Sequence, residues 1–544
     1  LKNVIKFDCV KLSVSLEGRL ALTIGWSAAC SNKGKIQASN NKMAAPHTPY
    51  YEADPSREIK KNHEAVLSNG SPTQRNKMPE IEHYDAIVLG TGEAGKFMSW
   101  HLGGSGKRVA AIERKYLGGA CPNIACLPSK NVIHSAQVAS YFERGAEFGM
   151  MTDKWSVSMP RVRARKREMV EGLLQIHRDN FTRNKVEVVM GEGRFISERM
   201  LKVSLNAGGE RILQGDQVFI NVGTRAEIPN LPGMAEASPL THVEALELDV
   251  VPEHLLILGG GYVGLEFAQA MRRLGSRVTV MERNGRLLHR EDADVSQAIT
   301  QLFQDEGIVT VTNTCLGRVE GKSGQGVRLH GSRRGSEIIV EGSHLLVATG
   351  RLPNTEGTGL ESAGIKTTKK GFIQVNDRLE TTAPSVWALG DCTGGPVFTH
   401  ISFDDFRIVR DNLDGAQRTT KGRQVPSCLF TDPELASIGL DETQAKEQGI
   451  PYRVSRIPMA SVLRTRTLSE TRGFLKALIS TTDDRILGFT GFGVGAGETM
   501  ATIQLAMKAG IPYTFLRDMT ITHPTLAEGI VVLFSAVPAL EPLG

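Results

Sequence analysis

From residue 84 onward, apolar and polar positions fall into an order that occurs twice. Tyr84-Asp85-Ala86-Ile87-Val88-Leu89 is a short apolar run of strand length. It enters Gly90-Thr91-Gly92-Glu93-Ala94-Gly95, then a helical stretch, then Arg108-Val109-Ala110-Ala111-Ile112 ending on Glu113. The same order returns at His254–Leu258, Gly259-x-Gly261-x-x-Gly264 and Arg277–Met281 ending on Glu282. The offset is 169 without a gap, carrying Gly90 to Gly259, Gly95 to Gly264 and Glu113 to Glu282. Gly106 and Gly275, Arg108 and Arg277, and Arg114 and Arg283 share that register. Val218–Thr224 and Leu345–Gly350 read as buried strands that run into glycine turns. Arg161–Lys185 reads as a basic helix with a solvated face. Phe474–Ile479 and Ile486–Phe489 predict a hairpin around Asp483-Asp484, followed by a helix over Glu498–Ala509. The apolar run Gly529–Leu540 is shorter than the roughly 20 residues of a membrane span, so a packed C-terminal helix is expected.

Strand, glycine turn, helix, strand and terminal acid together form the dinucleotide fingerprint. Its first glycine permits the tight turn, and its second lets backbone approach a pyrophosphate. The helix N-terminus then offers free N–H groups to that anion. Two such units imply two dinucleotides. Glu113 is placed to hold ribose hydroxyls. Glu282 favours a free 2′-hydroxyl and repels a 2′-phosphate, which favours NADH. Arg283 and Arg286 stand near it and are the features that would suit NADPH.

Between the two units lies Gly118-Gly119-Ala120-Cys121-Pro122-Asn123-Ile124-Ala125-Cys126-Leu127-Pro128-Ser129-Lys130. A regular helix would set about 7.5 Å of rise between Cys121 and Cys126. A disulfide tolerates Cα atoms up to about 7 Å apart. An oxidised pair therefore requires a bent turn here. Pro122 suits a first helical turn, and Pro128 would break a regular helix behind Cys126. Two packed free thiols are the bland reading. A metal pair is the other, but no second pair with zinc spacing accompanies this one, and no resident metal is expected.

Composition changes the picture only slightly. The length of 544 residues suggests three or four domains, and 40% hydrophobic and 23% charged positions are ordinary for a globular enzyme. A net charge of +5 gives no reason to expect a nucleic-acid partner, and no run suggests a membrane span. The seven cysteines are scattered apart from the central pair. That is not a secreted disulfide framework, and a cytoplasmic enzyme is expected.

The central stretch resembles the redox motif of the class I pyridine nucleotide–disulfide oxidoreductases. These include glutathione reductase, dihydrolipoamide dehydrogenase and mercuric reductase. Gly118, Gly119, Cys121, Asn123, Cys126, Pro128, Ser129 and Lys130 match. Ala120, Pro122 and Ala125 depart from Thr, an aliphatic residue and Gly. Ser385-Val386-Trp387-Ala388-Leu389-Gly390-Asp391 matches the family's second flavin motif, and His523-Pro524-Thr525-Leu526-Ala527-Glu528 its acid–base motif. Gly350-Arg351-x-Pro353-Asn354 is a further family landmark. Phe398–Arg407, containing Asp404-Asp405-Phe406-Arg407, resembles the mercuric-reductase-like branch, although the C-terminal vicinal cysteines usual there are missing. His400 and Cys392 are taken as structural.

The resemblance implies an α/β fold with two Rossmann-like domains, for FAD and NAD(P), and a C-terminal α+β dimerisation domain. It implies FAD-binding segments at 80–225 and 353–423, an NAD(P)-binding domain at 226–352 and a dimerisation domain at 424–544. FAD would be held by Gly90, Gly92, Gly95, Glu113, Arg114, Gly119, Lys130, Thr224 and Asp391. The nicotinamide cofactor would be held by Gly259, Gly261, Gly264, Glu282 and Gly350. Hydride would pass from NAD(P)H to FAD, and reduced flavin would open a Cys121–Cys126 disulfide. Cys126 would face the flavin and Cys121 the substrate. Lys130 would pair with Glu266 by the flavin. His523, held by Glu528, would come from the partner of an obligate homodimer.

The substrate would be a small disulfide or a soft metal ion, as in mercuric reductases. Dihydrolipoyl dehydrogenase or glutathione-reductase-type activity is the alternative, and a non-catalytic flavin-binding dimer a third. Residues 1–79 are expected to be a disordered or non-native extension. A weak signal-like segment with Cys30 falls there, and Met43 and Met78 are candidate starts.

Overall fold

The computed structural model describes residues 80–540, so the features expected in residues 1–79 lie outside the described residues. The strand Ile81–Leu89 lies inside the first sheet, parallel to Val109–Glu113 on one side and Glu210–Ile220 on the other. Glu187–Ser197 extends the sheet beyond Val109–Glu113, and Val386–Ala388 extends it beyond Glu210–Ile220. The two longest strands, Glu187–Ser197 and Glu210–Ile220, are also joined antiparallel through Met200–Leu205. Ile87 and Leu89 enter the core on one face of the sheet, Ala86 and Val88 the core on the other. Burial on both faces is why its second half, residues 86–89, reads as an unbroken apolar run.

The second unit repeats the arrangement. His254–Leu258 is parallel to Arg277–Met281 and His344–Val347, with Val309–Val311 outside. The sequence offset survives as register: Leu89 lies opposite Ile112, and Leu258 opposite Met281. An antiparallel meander of Thr314–Lys322, Gly326–Arg333 and Ser336–Gly342 was not anticipated. Its strands carry Arg318, Glu320, Arg328 and Glu341 on an open face, which hides them from a search for apolar runs. The segments Thr224–Ala226 and Arg351–Pro353, which leave the two sheets, pair antiparallel with each other.

The third sheet is antiparallel, in the order Ser427–Leu429, Glu434–Gly439, Ile486–Gly493, Phe474–Ser480, Tyr452–Pro458. It contains the expected hairpin, with Asp484 at φ 57° in its turn. The helices Ala496–Ala509 and Glu528–Ser535 pack into its core through Met500, Ile503, Ile530 and Phe534. The last helix stops at Ser535, before Pro538. No helix among the described residues is long and apolar enough to cross a membrane. Lys476 of this sheet is fully buried and bonds Asp292 at 2.8 Å and Asp294 at 2.9 Å, tying the sheet to the second unit.

The basic stretch forms the helix Met159–Arg183, largely exposed as expected. Two of its polar side chains are instead buried. Lys166 donates to the Leu246 carbonyl at 2.9 Å, and His177 packs against Gly118.

Candidate active site

The expected bend is present. One short helix, Ala120–Ile124, ends at Ala125, and a second, Cys126–Glu143, starts at once. Ala125 has φ −131° and ψ −103°, outside the helical region. Pro128 explains the break, since it has no N–H to give to Ile124 in a continuous helix. In the second helix it falls in the first turn, where none is needed. Asn123 secures the approach, donating to the Leu117 carbonyl at 3.0 Å and the Gly119 carbonyl at 2.7 Å.

Both thiols are free and half-buried. Each acts on the other's acidity, in opposite senses. The Cys126 thiol is pulled below the ordinary thiol range, first by Cys121, then by the Thr399 hydroxyl and the Lys130 ammonium, against burial. Cys121 is pushed up by Cys126 and by burial. Thr399 Oγ1 lies 3.2 Å from Cys126 Sγ.

Lys130 sits one turn beyond Cys126 and donates to Glu266 Oε2 at 2.7 Å. The Phe430 N–H donates to the other oxygen, Glu266 Oε1, at 3.0 Å, and the Phe430 ring lies 4.7 Å from the Lys130 ammonium. A cavity of about 270 Å³ opens beside this pair.

The two fingerprints are built alike. Gly90 and Gly259 have φ of 94° and 108°, open to glycine and strained for other residues. A Cβ on Gly95 would fall 2.1 Å from the Gly90 carbonyl oxygen, and one on Gly264 equally close to that of Gly259. A Cβ on Gly119 would fall 2.4 Å from the Gly92 Cα, so the redox turn presses backbone to backbone on the first fingerprint. Such side-chain-free cradles at helix N-termini fit two dinucleotide pyrophosphates. Glu113 accepts from Thr91 N–H at 3.0 Å, and Glu282 from Gly260 N–H at 2.7 Å, the same bond one repeat apart. Glu282 also accepts from Asn284 N–H at 2.8 Å. Gly261 caps the second fingerprint helix, and the Gly350 carbonyl accepts from Glu227 N–H at 2.9 Å. Arg286 donates to the carbonyls of His289 and Glu291, whereas Arg283 is exposed. Arg114 is exposed, 3.5 Å from Glu192.

Thr224 donates to Asp391 Oδ2 at 2.8 Å, bringing a residue of the first crossover onto the second flavin motif. Several contributors were not expected as site residues. Asn221 accepts from Gly95 N–H at 3.0 Å and donates to the Leu389 carbonyl at 2.6 Å, joining the first fingerprint to that motif. Arg351 donates to Thr224 Oγ1 at 2.7 Å. An Asn at a strand end is the sort of signal a sequence search could have used for Asn221. Phe430 offered none, and Thr399 only its place within Phe398–Arg407. Cys392 is fully buried, its thiol pushed up to about 12 by burial, and His400 is 2.9 Å from the Pro426 carbonyl.

His523 Nδ1 lies 3.0 Å from Glu528 Oε1, and Thr525 N–H donates to Glu528 Oε2 at 2.9 Å. The imidazole is 63% exposed. Within one chain, and among the described residues, no hydrogen bond joins this pair to either cysteine.

The family model of pyridine nucleotide-disulphide oxidoreductases matches residues 84–405, and that of the family's dimerisation domain matches 425–533. The chain belongs to this family. It is an FAD- and pyridine-nucleotide-dependent oxidoreductase with a dimerisation domain. It is 36% identical over 472 residues to the probable pyridine nucleotide-disulfide oxidoreductase RclA of Escherichia coli, covering 84% of this chain and all of that one. It is 32% identical over 449 residues to a mercuric reductase of Staphylococcus aureus, covering 82% and 81%. A solved structure, the Cu(II) complex of the HOCl-induced flavoprotein disulfide reductase RclA from Escherichia coli, superposes with a TM-score of 0.77 at 35% identity, covering 84% of this chain and 99% of that one.

Proposed function

We propose that this oxidoreductase carries electrons from NADH to a small disulfide through the Cys121–Cys126 pair, as a homodimer. The observation that carries the reading is the turn at Ala125, which sets two thiols of opposed acidity together beside the Lys130–Glu266 ion pair. FAD, when bound, supplies the two-electron relay between nicotinamide and disulfide. Gly90, Gly92, Gly95, Glu113, Gly119, Thr224 and Asp391 would hold it, with Arg114 at the rim. Gly259, Gly261, Gly264, Glu282 and Gly350 would hold the nicotinamide cofactor. Residues 80–225 with 353–423, 226–352 and 424–544 are the corresponding domains.

In the dithiol state Cys126 gives up its proton and Cys121 keeps one. Cys121 passes that proton to His523 of the other subunit and attacks the substrate disulfide. A mixed disulfide forms and one thiolate leaves, taking the proton from His523. Glu528 orients the ring and stabilises the imidazolium. Cys126 then attacks the Cys121 sulfur, expels the second thiolate and restores the Cys121–Cys126 bond. The 3.0 Å His523–Glu528 pair is what favours a disulfide or dithiol substrate.

A soft metal ion is the second reading. It is favoured by relatives named as mercuric reductase and as a Cu(II) complex. The free dithiol would present soft ligands. A catalytic dithiol of this kind suits a reducing, cytoplasmic compartment.

Steady-state turnover with NADH and NADPH against lipoamide, glutathione disulfide, Hg²⁺ and Cu²⁺ tests both readings. NADH is expected to be the better donor, because Glu282 is buried at the ribose end of the second fingerprint. A clear NADPH preference would overturn that part. Turnover of metal ions without any disulfide would replace the first reading by the second.

A further inference from the structure

One face of the helix Tyr262–Arg273 is bonded along its length to the segment Ser427–Asp432. Tyr262 Oη lies 3.3 Å from Ser427 Oγ, and Glu266 accepts from Phe430 N–H at 3.0 Å. Arg273 donates to the Asp432 carboxylate at 2.5 Å. These positions recur at helical spacing on one side. Between them stands Gln269, only 4% exposed. Its amide grips one residue from both sides: Nε2 donates to the Asp432 carbonyl and Oε1 accepts from Asp432 N–H, each at 2.8 Å. Nε2 also donates to Glu306 at 2.8 Å. Two residues before Asp432 is Phe430, whose N–H and ring hold Glu266 and Lys130.

We propose that Gln269 is a positioning residue for the Lys130–Glu266 pair and, through Lys130, for the Cys126 thiolate. It fixes the Phe430–Asp432 backbone, that backbone fixes the Glu266 carboxylate, and Glu266 keeps the Lys130 ammonium from swinging to solvent. Cys121, Thr399 from the opposing helix and Lys130 favour the Cys126 thiolate, whereas Glu266 opposes it by less than Lys130 favours it, so its part is to hold Lys130 in place. The proposal rests on the function proposed above for the cysteine pair.

The test uses flavin-loaded Cys121→Ser dimer, in which Cys126 is the lone thiol of the turn and a hydroxyl still faces it. Cys126 is titrated by the pH dependence of its iodoacetamide alkylation and by the long-wavelength absorbance of a thiolate against flavin. Adding Gln269→Met, similar in size and without hydrogen bonds, is expected to raise both midpoints by about one unit. In the otherwise native enzyme it is expected to slow flavin reduction by NADH about tenfold. Gln269→Glu, which keeps the acceptor for Asp432 N–H and loses the donor, is expected to shift the alkylation midpoint in the same direction by less. Unchanged alkylation midpoints overturn the proposal, and Gln269→Glu decides if Gln269→Met does not retain flavin. Loss of the long-wavelength absorbance in Cys121→Ser itself, with alkylation still dependent on Gln269, would instead overturn the assignment of Cys126 to the flavin.

Discussion

The chemistry at the residue scale depends on how one proton is shared between two sulfurs. Cys126 is the more acidic because Cys121, the Thr399 hydroxyl 3.2 Å away and the Lys130 ammonium all favour its thiolate. A thiolate with a depressed pKa survives as pH falls below the ordinary thiol range of about 8.5, and is lost only through its own lower value. Removing a donor raises that value, so the thiolate is lost at higher pH. Thr399→Val is therefore expected to move the pH midpoint of the long-wavelength absorbance of reduced enzyme upward by about one unit. A midpoint that stays in place would show that Thr399 contributes nothing to the thiolate. Much of this was legible beforehand: the cysteine spacing, Pro128 and the need for a bend all follow from helix geometry. Thr399 was not legible, because a lone threonine 273 positions from Cys126 becomes a partner only after the chain folds.

At the scale of elements, the proposed cofactor sites are shaped by close backbone approach. Gly264 and Gly95 lie where a methyl group would strike a carbonyl of their own fingerprint turn. A carbonyl cannot swing aside as a side-chain tip can, so the turn itself must move. Gly264→Ala is expected to raise the KM for NADH about tenfold while bound flavin is retained. Gly95→Ala is expected to give the opposite, protein purified without flavin. Equal effects on both cofactors would mean that the two units are not separate sites. The repeat itself was readable because both units need the same glycines at the same offset. The antiparallel meander of residues 314–342 was not, since half-exposed strands mix charge into every second position and the apolar run disappears. The zipper along Tyr262–Arg273 was also hidden. Polar residues on a helix ordinarily mark its solvent face, and here they mark a buried seam with Ser427–Asp432.

For the whole molecule, the placement of His523 is decisive. Its ring is exposed and unconnected to the cysteines of its own chain, although it belongs to the same proposed reaction. In the proposed homodimer a second copy would supply the missing partner. Co-expression of Cys121→Ser with His523→Gln is expected to restore about half of native turnover in the mixed dimer, because one site then has both an intact Cys121 and an intact His523 from across the interface. If each His523 served its own chain, the mixed dimer would be as inactive as either parent.

The central claim is that NADH electrons come to rest on Cys121 and Cys126. Anaerobic titration of the flavin-loaded dimer with one equivalent of NADH tests it most directly. The predicted result is long-wavelength absorbance in the native enzyme and in no Cys126→Ser sample. Absorbance that survives Cys126→Ser, or a native enzyme that takes up two electrons without exposing any new thiol, would contradict it.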